Sequence, residues 1–168
     1  MLSQGVARTE AMLTEIHAEM RGVTRIYPAA DGKSGLHALG PVDVTLRRGE
    51  FYSIIGPSGC GKSTLLDVLS GLSPPTAGEV RFEGKLVHGR VPDGIGVVFQ
   101  EDASFPWMTV EDNIAFGLRR AGMDSREIRR RLDHALGLMG LTTFAKAYPA
   151  QLSGGMRQRV CIARTLVT

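Results

Sequence analysis

Hydrophobic and polar residues alternate in the first part of the chain and follow a helical period in the last part. Alternation within residues 21–46, interrupted by a Pro/Gly-rich turn at 28–35, predicts two strands. Residues 47–50 predict a turn, and the apolar run at 51–55 predicts a buried central strand. A similar run at 95–99 predicts another buried strand, so we expect a parallel core.

Two shorter patterns flank these strands. Residues 1–19 carry apolar residues at only roughly helical spacing, and we expect them to form a flexible extension. Residues 79–87 predict a hairpin that turns at Glu83-Gly84.

Helices are expected in the last part of the chain, over residues 111–120, 125–139 and 154–167. In the second of these, Ser125 is the candidate N-cap. Its apolar face consists of Ile128, Leu132, Leu136 and Met139. Strands followed by helices predict an α/β domain that carries a helical insertion.

A glycine-rich loop, residues 56–64, joins the predicted central strand to a segment with leucines at helical spacing. Gly56, Gly61, Lys62 and Ser63 fill the pattern G-x-x-x-x-G-K-[ST]. The glycines let backbone N–H groups turn toward phosphate oxygens, and a helix N-terminus favours the same anions. Lys62 can place a charge on the β and γ phosphates, and Ser63 can offer its hydroxyl to Mg²⁺. A chance match is the alternative, but the flanking strand and helix favour a nucleotide site.

Composition limits the function classes. The 168 residues are 43% hydrophobic and 22% charged, which is ordinary for one soluble domain. A net charge of +3 does not by itself indicate a nucleic-acid-binding protein. The two cysteines lie far apart, which predicts free thiols in a reducing compartment. Because no apolar run approaches a membrane span and no signal-peptide core is evident, we expect a soluble, cytoplasmic chain.

A second motif, the signature segment, reads Leu-Ser-Gly-Gly-Met-Arg-Gln-Arg-Val at residues 152–160. Together with the glycine-rich loop and with Val-Phe-Gln-Glu-Asp at 98–102, it resembles the ATP-binding subunits of ABC transporters over residues 20–168. The resemblance implies an α/β P-loop NTPase of the ABC ATPase type, with a β-rich N-terminal subdomain and a helical subdomain at about 101–160.

The resemblance also implies roles for individual residues. ATP would be held by Tyr27 at the adenine and by Gly56, Pro57, Ser58, Gly59, Cys60, Gly61, Lys62, Ser63 and Thr64 at the phosphates. Lys62 and Gln100 would act in catalysis, and Ser63 and Gln100 would hold Mg²⁺. Ser153, Gly154 and Gly155 would close over the γ phosphate bound by a second subunit, which implies a head-to-tail dimer.

Each of these roles has a simpler alternative. In the simpler interpretation, Ser153-Gly154-Gly155 is only the N-cap of a helix, and Gln100 is only a polar residue that ends a strand. Tyr27 is then an aromatic residue packed at the end of an edge strand.

The segment from Phe99 to Leu118, with Met156-Arg157 in the signature segment, resembles importers of nitrate, aliphatic sulfonates and taurine. The resemblance implies transmembrane permease subunits as partners, an indirect link to a solute-binding protein, and a peripheral position on the cytoplasmic face of the inner membrane. Residues 105–108, Phe-Pro-Trp-Met, lie where a permease helix would dock, with a buried aromatic cluster as the alternative. The arginines at 119–131 predict a solvated helical face, with lipid or partner contact as the alternative.

One part of the family pattern is missing from these residues. ATP hydrolysis of this type uses an Asp for the Mg²⁺ shell, a following Glu and a His, which family members carry after the signature helix. Here no carboxylate follows Asp133, and all four histidines precede the signature segment. We therefore expect an incomplete sheet, poor stability and negligible hydrolysis by the 168-residue polypeptide. A truncated, non-hydrolysing nucleotide-binding module is the alternative function; an unrelated P-loop kinase or GTPase would leave the signature segment unexplained.

Overall fold

The computed structural model describes residues 15–29, 35–101 and 103–168, which divide into two compact units. The first unit ends at Ile95 and contains an antiparallel sheet with one helix. The second unit begins at Gly96 and is helical. Each unit has its own hydrophobic core. Within the described ranges, no helix is long and apolar enough to cross a membrane.

The sheet of the first unit has four antiparallel strands in the order β2-β1-β3-β4. They are β1 (Ile16–Tyr27), β2 (Leu36–Arg47), β3 (Ala77–Phe82) and β4 (Lys85–Leu86). The two long strands were predicted, but β1 begins earlier than expected. Ala18 and Met20 are buried at a strand period, so residues 16–19 belong to the sheet and not to the extension predicted for residues 1–19. Residues 1–14 lie outside the described part of the chain.

The hairpin between β3 and β4 turns where the sequence predicted. Glu83 has φ 49° and Gly84 has φ 75°, and positive φ at both central residues matches the twist of a two-residue hairpin. A positive φ is costly for Glu83 because of its Cβ. The Glu83 carboxylate accepts a hydrogen bond from Arg48 Nη2 at 2.6 Å, which helps to hold this conformation.

Helix α1 (Lys62–Leu69) follows the glycine-rich loop and packs on the sheet. Leu65 and Val68 are three residues apart, so they lie on one face of the helix and both are buried. The other buried members of this core are Met20, Val23, Leu39 and Val80. The sheet core therefore fixes the direction in which α1 leaves the loop.

The predicted parallel core is wrong for the described structure. Neither 51–55 nor 95–99 pairs with a strand among the described residues, and the sheet that forms is wholly antiparallel. Phe51 is 92% exposed and Ile55 is 94% exposed. An apolar run indicates fitness for burial, but a strand also needs a neighbour that satisfies its backbone N–H and C=O groups. The exposed side chains agree with the expectation of an incomplete sheet.

The second unit contains three α-helices close to their predicted bounds. They are α2 (Val110–Arg120), α3 (Ser125–Leu138) and α4 (Gly154–Leu166), and short 3₁₀ turns lie at Thr142–Phe144 and Pro149–Gln151. The predicted apolar face of α3 is confirmed, because Leu132 and Leu136 are buried while Ile128 and Met139 pack at the edge of the core. The core is completed mainly by Ile114, Leu118, Leu141 and Val160.

The predicted N-cap of α3 is wrong by one residue. Asp124 Oδ2 accepts hydrogen bonds from the backbone N–H groups of Arg126 (2.9 Å) and Glu127 (3.3 Å). Ser125 is already the first helical residue. A carboxylate at the cap satisfies the same orphan donors as a hydroxyl and also complements the positive end of the helix dipole.

Arginines on α2 and α3 form ion pairs along the helix surfaces, which supports the interpretation as a solvated face. Arg119 pairs with Asp112 and Arg129 with Asp133. Glu127 accepts hydrogen bonds from Arg130 and Arg131 at 2.7–2.8 Å. These hydrogen bonds, from Arg130 first and then Arg131, lower the pKa of Glu127 to about 2.

We predict that Glu127 makes stability depend on pH between about 4.5 and 2. The folded state keeps this carboxylate charged to lower pH than the unfolded state does, so stability is lost as pH falls through that window. NMR titration of the Glu127 carboxyl carbon should give a midpoint near 2. Urea unfolding of Glu127→Gln should depend less steeply on pH over the same window. Identical pH dependence in the wild type and the variant would contradict the assignment.

Candidate nucleotide-binding site

The glycine-rich loop owes its shape to two glycines in left-handed conformations. Gly59 has φ 80° and Gly61 has φ 94°, which other residues rarely adopt. A Cβ at Gly61 would also lie 2.5 Å from the carbonyl oxygen of Ala38 in β2. Gly56 differs from expectation because its φ is not positive; a Cβ there would instead meet Cys60 Sγ at 2.8 Å. The loop is thus packed tightly on β2 and on itself.

The ammonium group of Lys62 lies inside the loop. Nζ donates hydrogen bonds to the carbonyl oxygens of Gly56 (2.9 Å) and Pro57 (2.6 Å) and lies 3.7 Å from Cys60 Sγ. Lys62 is also the first residue of α1, whose first-turn N–H groups have no side-chain cap. A positive charge and unpaired N–H groups at one helix N-terminus are the features that bind phosphate.

A cleft of about 270 Å³ joins the loop to the end of the β1–β2 pair. Its lining residues are Tyr27, Leu36, His37, Ala38, Gly59, Gly61, Lys62, Ser63 and Thr64. An aromatic ring, a cation and hydroxyl groups therefore share one cleft, although Tyr27 is far from the loop in sequence. This combination suits a ligand with a flat ring and a phosphate chain.

His37 lines the cleft, although the sequence pattern assigned it no role there. It is exposed and faces Ile26 in the β1–β2 register, next to the pair formed by Tyr27 and Leu36. The register of this strand pair brings His37 to the cleft, and it cannot be derived from the sequence around His37 alone.

The loop fits a magnesium ion bound with a nucleotide. Ser63 lies in the first turn of α1 and lines the cleft beside Lys62. Among the described residues, no group of three or more His, Cys, Asp or Glu could hold a metal ion by itself. Mg²⁺ usually keeps several waters and binds largely through substrate phosphates, so the Ser63 hydroxyl would be one ligand among phosphate and water oxygens.

Gln100 and the signature segment belong to the second unit. Gln100 is exposed and follows a segment that is not a strand, so the strand-end alternative does not describe it. Gln158 Nε2 on α4 donates a hydrogen bond to the Phe99 carbonyl at 3.2 Å, which ties the residue before Gln100 to the signature helix.

Ser153 caps helix α4, as the simpler alternative requires. Its Oγ accepts a hydrogen bond from the Met156 N–H at 3.4 Å. Gly154 and Gly155 are exposed, and a Cβ at Gly155 would meet nothing within 4 Å. The first turn of α4 therefore presents open backbone, so the cap does not exclude contact with an anion.

Residues 105–108, the aromatic loop, are held by one buried side chain. Asn113 is fully buried, and its Nδ2 donates to the carbonyl oxygens of Phe105 (3.1 Å), Met108 (3.1 Å) and Thr109 (2.9 Å). Its Oδ1 accepts from the Phe105 N–H at 2.7 Å. No sequence pattern indicates this role beyond the presence of a polar residue within an amphipathic helix.

The two rings of the aromatic loop contact each other, with centroids 5.6 Å apart, but they differ in exposure. Phe105 packs on Phe116, with ring centroids 4.8 Å apart, and Arg164 lies 5.0 Å from the same ring. Trp107 is 70% exposed. The buried-cluster alternative therefore fits Phe105 but not Trp107, and a large exposed ring of this kind is typical of an interaction surface.

We predict that Asn113→Ala lowers the free energy of unfolding by about 3 kcal/mol, because it removes a fully buried side chain together with its hydrogen bonds to the Phe105 N–H and the Met108 carbonyl. Urea unfolding followed by circular dichroism measures the loss. Gln158→Ala, which removes a single hydrogen bond, is the matched control and should cost less than about 1.5 kcal/mol. Equal losses in the two variants would show that Asn113 has no special role.

Comparisons with known proteins identify the family of this chain. The family model described as ABC transporter matches residues 39–168. The spermidine/putrescine import ATP-binding protein of Thermobifida fusca is 42% identical over 97% of this chain. The putrescine transport ATP-binding protein of Escherichia coli is 44% identical over 95%, and the nitrate import ATP-binding protein of Synechocystis is 41% identical over 90%. The chain spans 42%, 41% and 56% of the lengths of these relatives.

Solved structures support the same fold. A dimeric bacterial ABC transporter cassette has a TM-score of 0.79 and 36% identity, covering 89% of this chain and 69% of that one. A dimeric cassette in a post-hydrolysis state, bound to ADP and Pi, has a TM-score of 0.78 and 36% identity, with the same coverage. The predicted α/β cassette fold is confirmed. The importers among the relatives act on polyamines or on nitrate, so they do not single out the anion-importer subfamily expected from the sequence.

Proposed function

Because the chain belongs to the ABC transporter family, we propose that it is the ATP-binding part of an importer and that ATP lies in the cleft between Tyr27 and the glycine-rich loop. The observation that carries this proposal is the shared cleft of Tyr27, Lys62 and Ser63. The ring would stack on adenine, while Lys62 and the loop N–H groups would bind the β and γ phosphates.

Ser63 and Gln100 are the residues that would act on magnesium and on the water that attacks the γ phosphate. The Ser63 hydroxyl would hold Mg²⁺, which neutralises phosphate charge when it is bound with ATP. Gln100 would contact the ion or orient the attacking water, and its exposed position on a segment tied to α4 supports contact with a ligand. Lys62 would stabilise the charge that develops on the γ phosphate.

A second subunit would complete the site. Ser153, Gly154 and Gly155 would close over the γ phosphate of ATP bound by a partner subunit in a head-to-tail dimer. The open backbone at the start of α4 supports this, since the glycine-rich loop already serves the phosphates of this chain's own nucleotide. Solved relatives that are dimeric add support.

We expect exposed Cys60 to react with a maleimide and ATP with Mg²⁺ to protect it, because the thiol lies in the loop that would bind the phosphates. Buried Cys161 serves as the internal reference. Lys62→Ala should weaken ATP binding roughly 10- to 100-fold through loss of a charged hydrogen bond to phosphate. The control Lys85→Ala, on β4, should bind as the wild type does. Labelling of Cys60 that ATP does not change would contradict the proposed site.

The same samples would report hydrolysis. We propose that the 168-residue polypeptide releases phosphate negligibly, because no carboxylate follows Asp133 to polarise a water. Ordinary turnover would contradict this. Turnover that appears only on mixing with an intact ATP-binding subunit would favour the alternative, a non-hydrolysing module that dimerises with such subunits.

The aromatic loop would receive a transmembrane permease subunit at the cytoplasmic face of the inner membrane, and a solute-binding protein would deliver the solute. Exposed Trp107 on a loop fixed by Asn113 supports such docking, because a rigid aromatic anchor loses little entropy on binding. For the solute we propose a small anion of the nitrate, sulfonate or taurine type. Polyamines are the second candidate, favoured by the polyamine importers among the relatives.

We predict that deletion of the gene from the source organism abolishes uptake of labelled nitrate or taurine and spares putrescine. Complementation with Trp107→Glu should fail to restore uptake, since a charge at this position opposes burial against a permease. ATP binding by that variant should be unchanged. Loss of putrescine uptake alone would establish the polyamine alternative, and full rescue by Trp107→Glu would exclude docking through this ring.

A further inference from the structure

Arg25 stacks on the ring that borders the nucleotide cleft. Arg25 and Tyr27 are two residues apart near the end of β1, where the pairing with β2 is irregular. The guanidinium carbon of Arg25 lies 4.6 Å from the centroid of the Tyr27 ring. This distance is within the range of a cation–π interaction, in which the cation is attracted to the negative face of the ring.

Other partners do not account for the position of Arg25. Its Nε is buried, and within the described residues it has no hydrogen-bond partner. No carboxylate in the described part of the chain forms an ion pair with Arg25, whereas Arg21 on the same strand pairs with Glu19 and Glu79. Within the described ranges, the aromatic ring is therefore the main partner of this guanidinium.

Arg25 contacts the ring without itself lining the cleft. Tyr27 lines the cleft, but Arg25 is not among the described residues that line it. One side of the ring is thus occupied by the guanidinium, outside the cleft lining, while the ring still borders the cleft.

We propose that Arg25 is a positioning residue for nucleotide binding, which holds the Tyr27 ring in the orientation that stacks on a purine base. The proposal rests on the ATP site proposed above and names the residue that supports its base-binding end. A ring already fixed by Arg25 loses less rotational entropy when the base binds. The cation also draws π electrons toward its own side, so the other face repels the π cloud of a purine less.

Titration calorimetry of the 168-residue chain with ATP and with inorganic tripolyphosphate separates the two ends of the site. We expect Arg25→Met to weaken ATP binding about 2- to 5-fold, as for a partly exposed cation–π pair, and to leave tripolyphosphate binding unchanged. Arg25→Lys should retain most of the ATP affinity because it keeps the charge. In a Tyr27→Leu background, Arg25→Met should have no further effect, because the ring through which it acts is gone.

Arg21→Met is the matched control, since it removes the same charge from β1 at a side chain without a ring contact, and it should leave both affinities unchanged. Equal weakening of ATP and tripolyphosphate by Arg25→Met, or an unchanged ATP affinity, would overturn the proposal. An additive effect of Arg25→Met on Tyr27→Leu would overturn it too. If the wild type does not bind tripolyphosphate, the proposed phosphate site itself has failed. If tripolyphosphate binds and Tyr27→Leu leaves ATP affinity unchanged, the stacking role fails together with that of Arg25.

Discussion

The close approach of Gly61 to β2 is the constraint on which the nucleotide cleft depends. Only a residue without a side chain can lie this close to the Ala38 carbonyl, and the φ of 94° is open to glycine almost alone. This contact fixes the glycine-rich loop on the strand that pairs with β1. Because Leu36 in β2 lies opposite Tyr27, the same contact also sets the aromatic ring beside Lys62. One glycine thus joins the local loop to a residue far away in sequence.

Asn113 has a comparable part in the second unit. A loop of four residues with a proline and two aromatic rings has few internal hydrogen bonds, and its backbone groups need partners. One amide makes three hydrogen bonds to this loop and a fourth to Thr109, and its burial within α2 ties the loop to the helical core. The hydroxyl of Thr109 and the guanidinium of Arg119 lower the pKa of Asp112, so the start of α2 stays charged and capped beside this loop. Trp107 is thereby exposed on rigid backbone.

Features that depend on residues close together in sequence could be predicted, whereas features that depend on distant partners could not. The helices, the turn at Glu83-Gly84 and the glycine-rich loop depend on residues within a few positions of one another, and they lie close to where they were expected. The runs at 51–55 and 95–99 are apolar enough for strands, but pairing needs a partner that no local pattern can provide. The cap at Asp124 was missed because two adjacent residues could both serve, and the choice depends on backbone geometry.

The phosphate end and the base end of the candidate site also differ in how well the sequence predicts them. In the proposed site, phosphate would be bound by backbone N–H groups and one lysine that are close together in sequence, so a short motif suffices to identify that end. The proposed base end would depend on Tyr27 in the cleft and on Arg25 beside its ring, and only the strand pairing brings Tyr27 to the glycine-rich loop. A change in register by one residue would turn Tyr27 to the other face of the sheet without altering the glycine-rich loop. Affinity for phosphate and recognition of the base are therefore separable properties of this fold, with different structural origins.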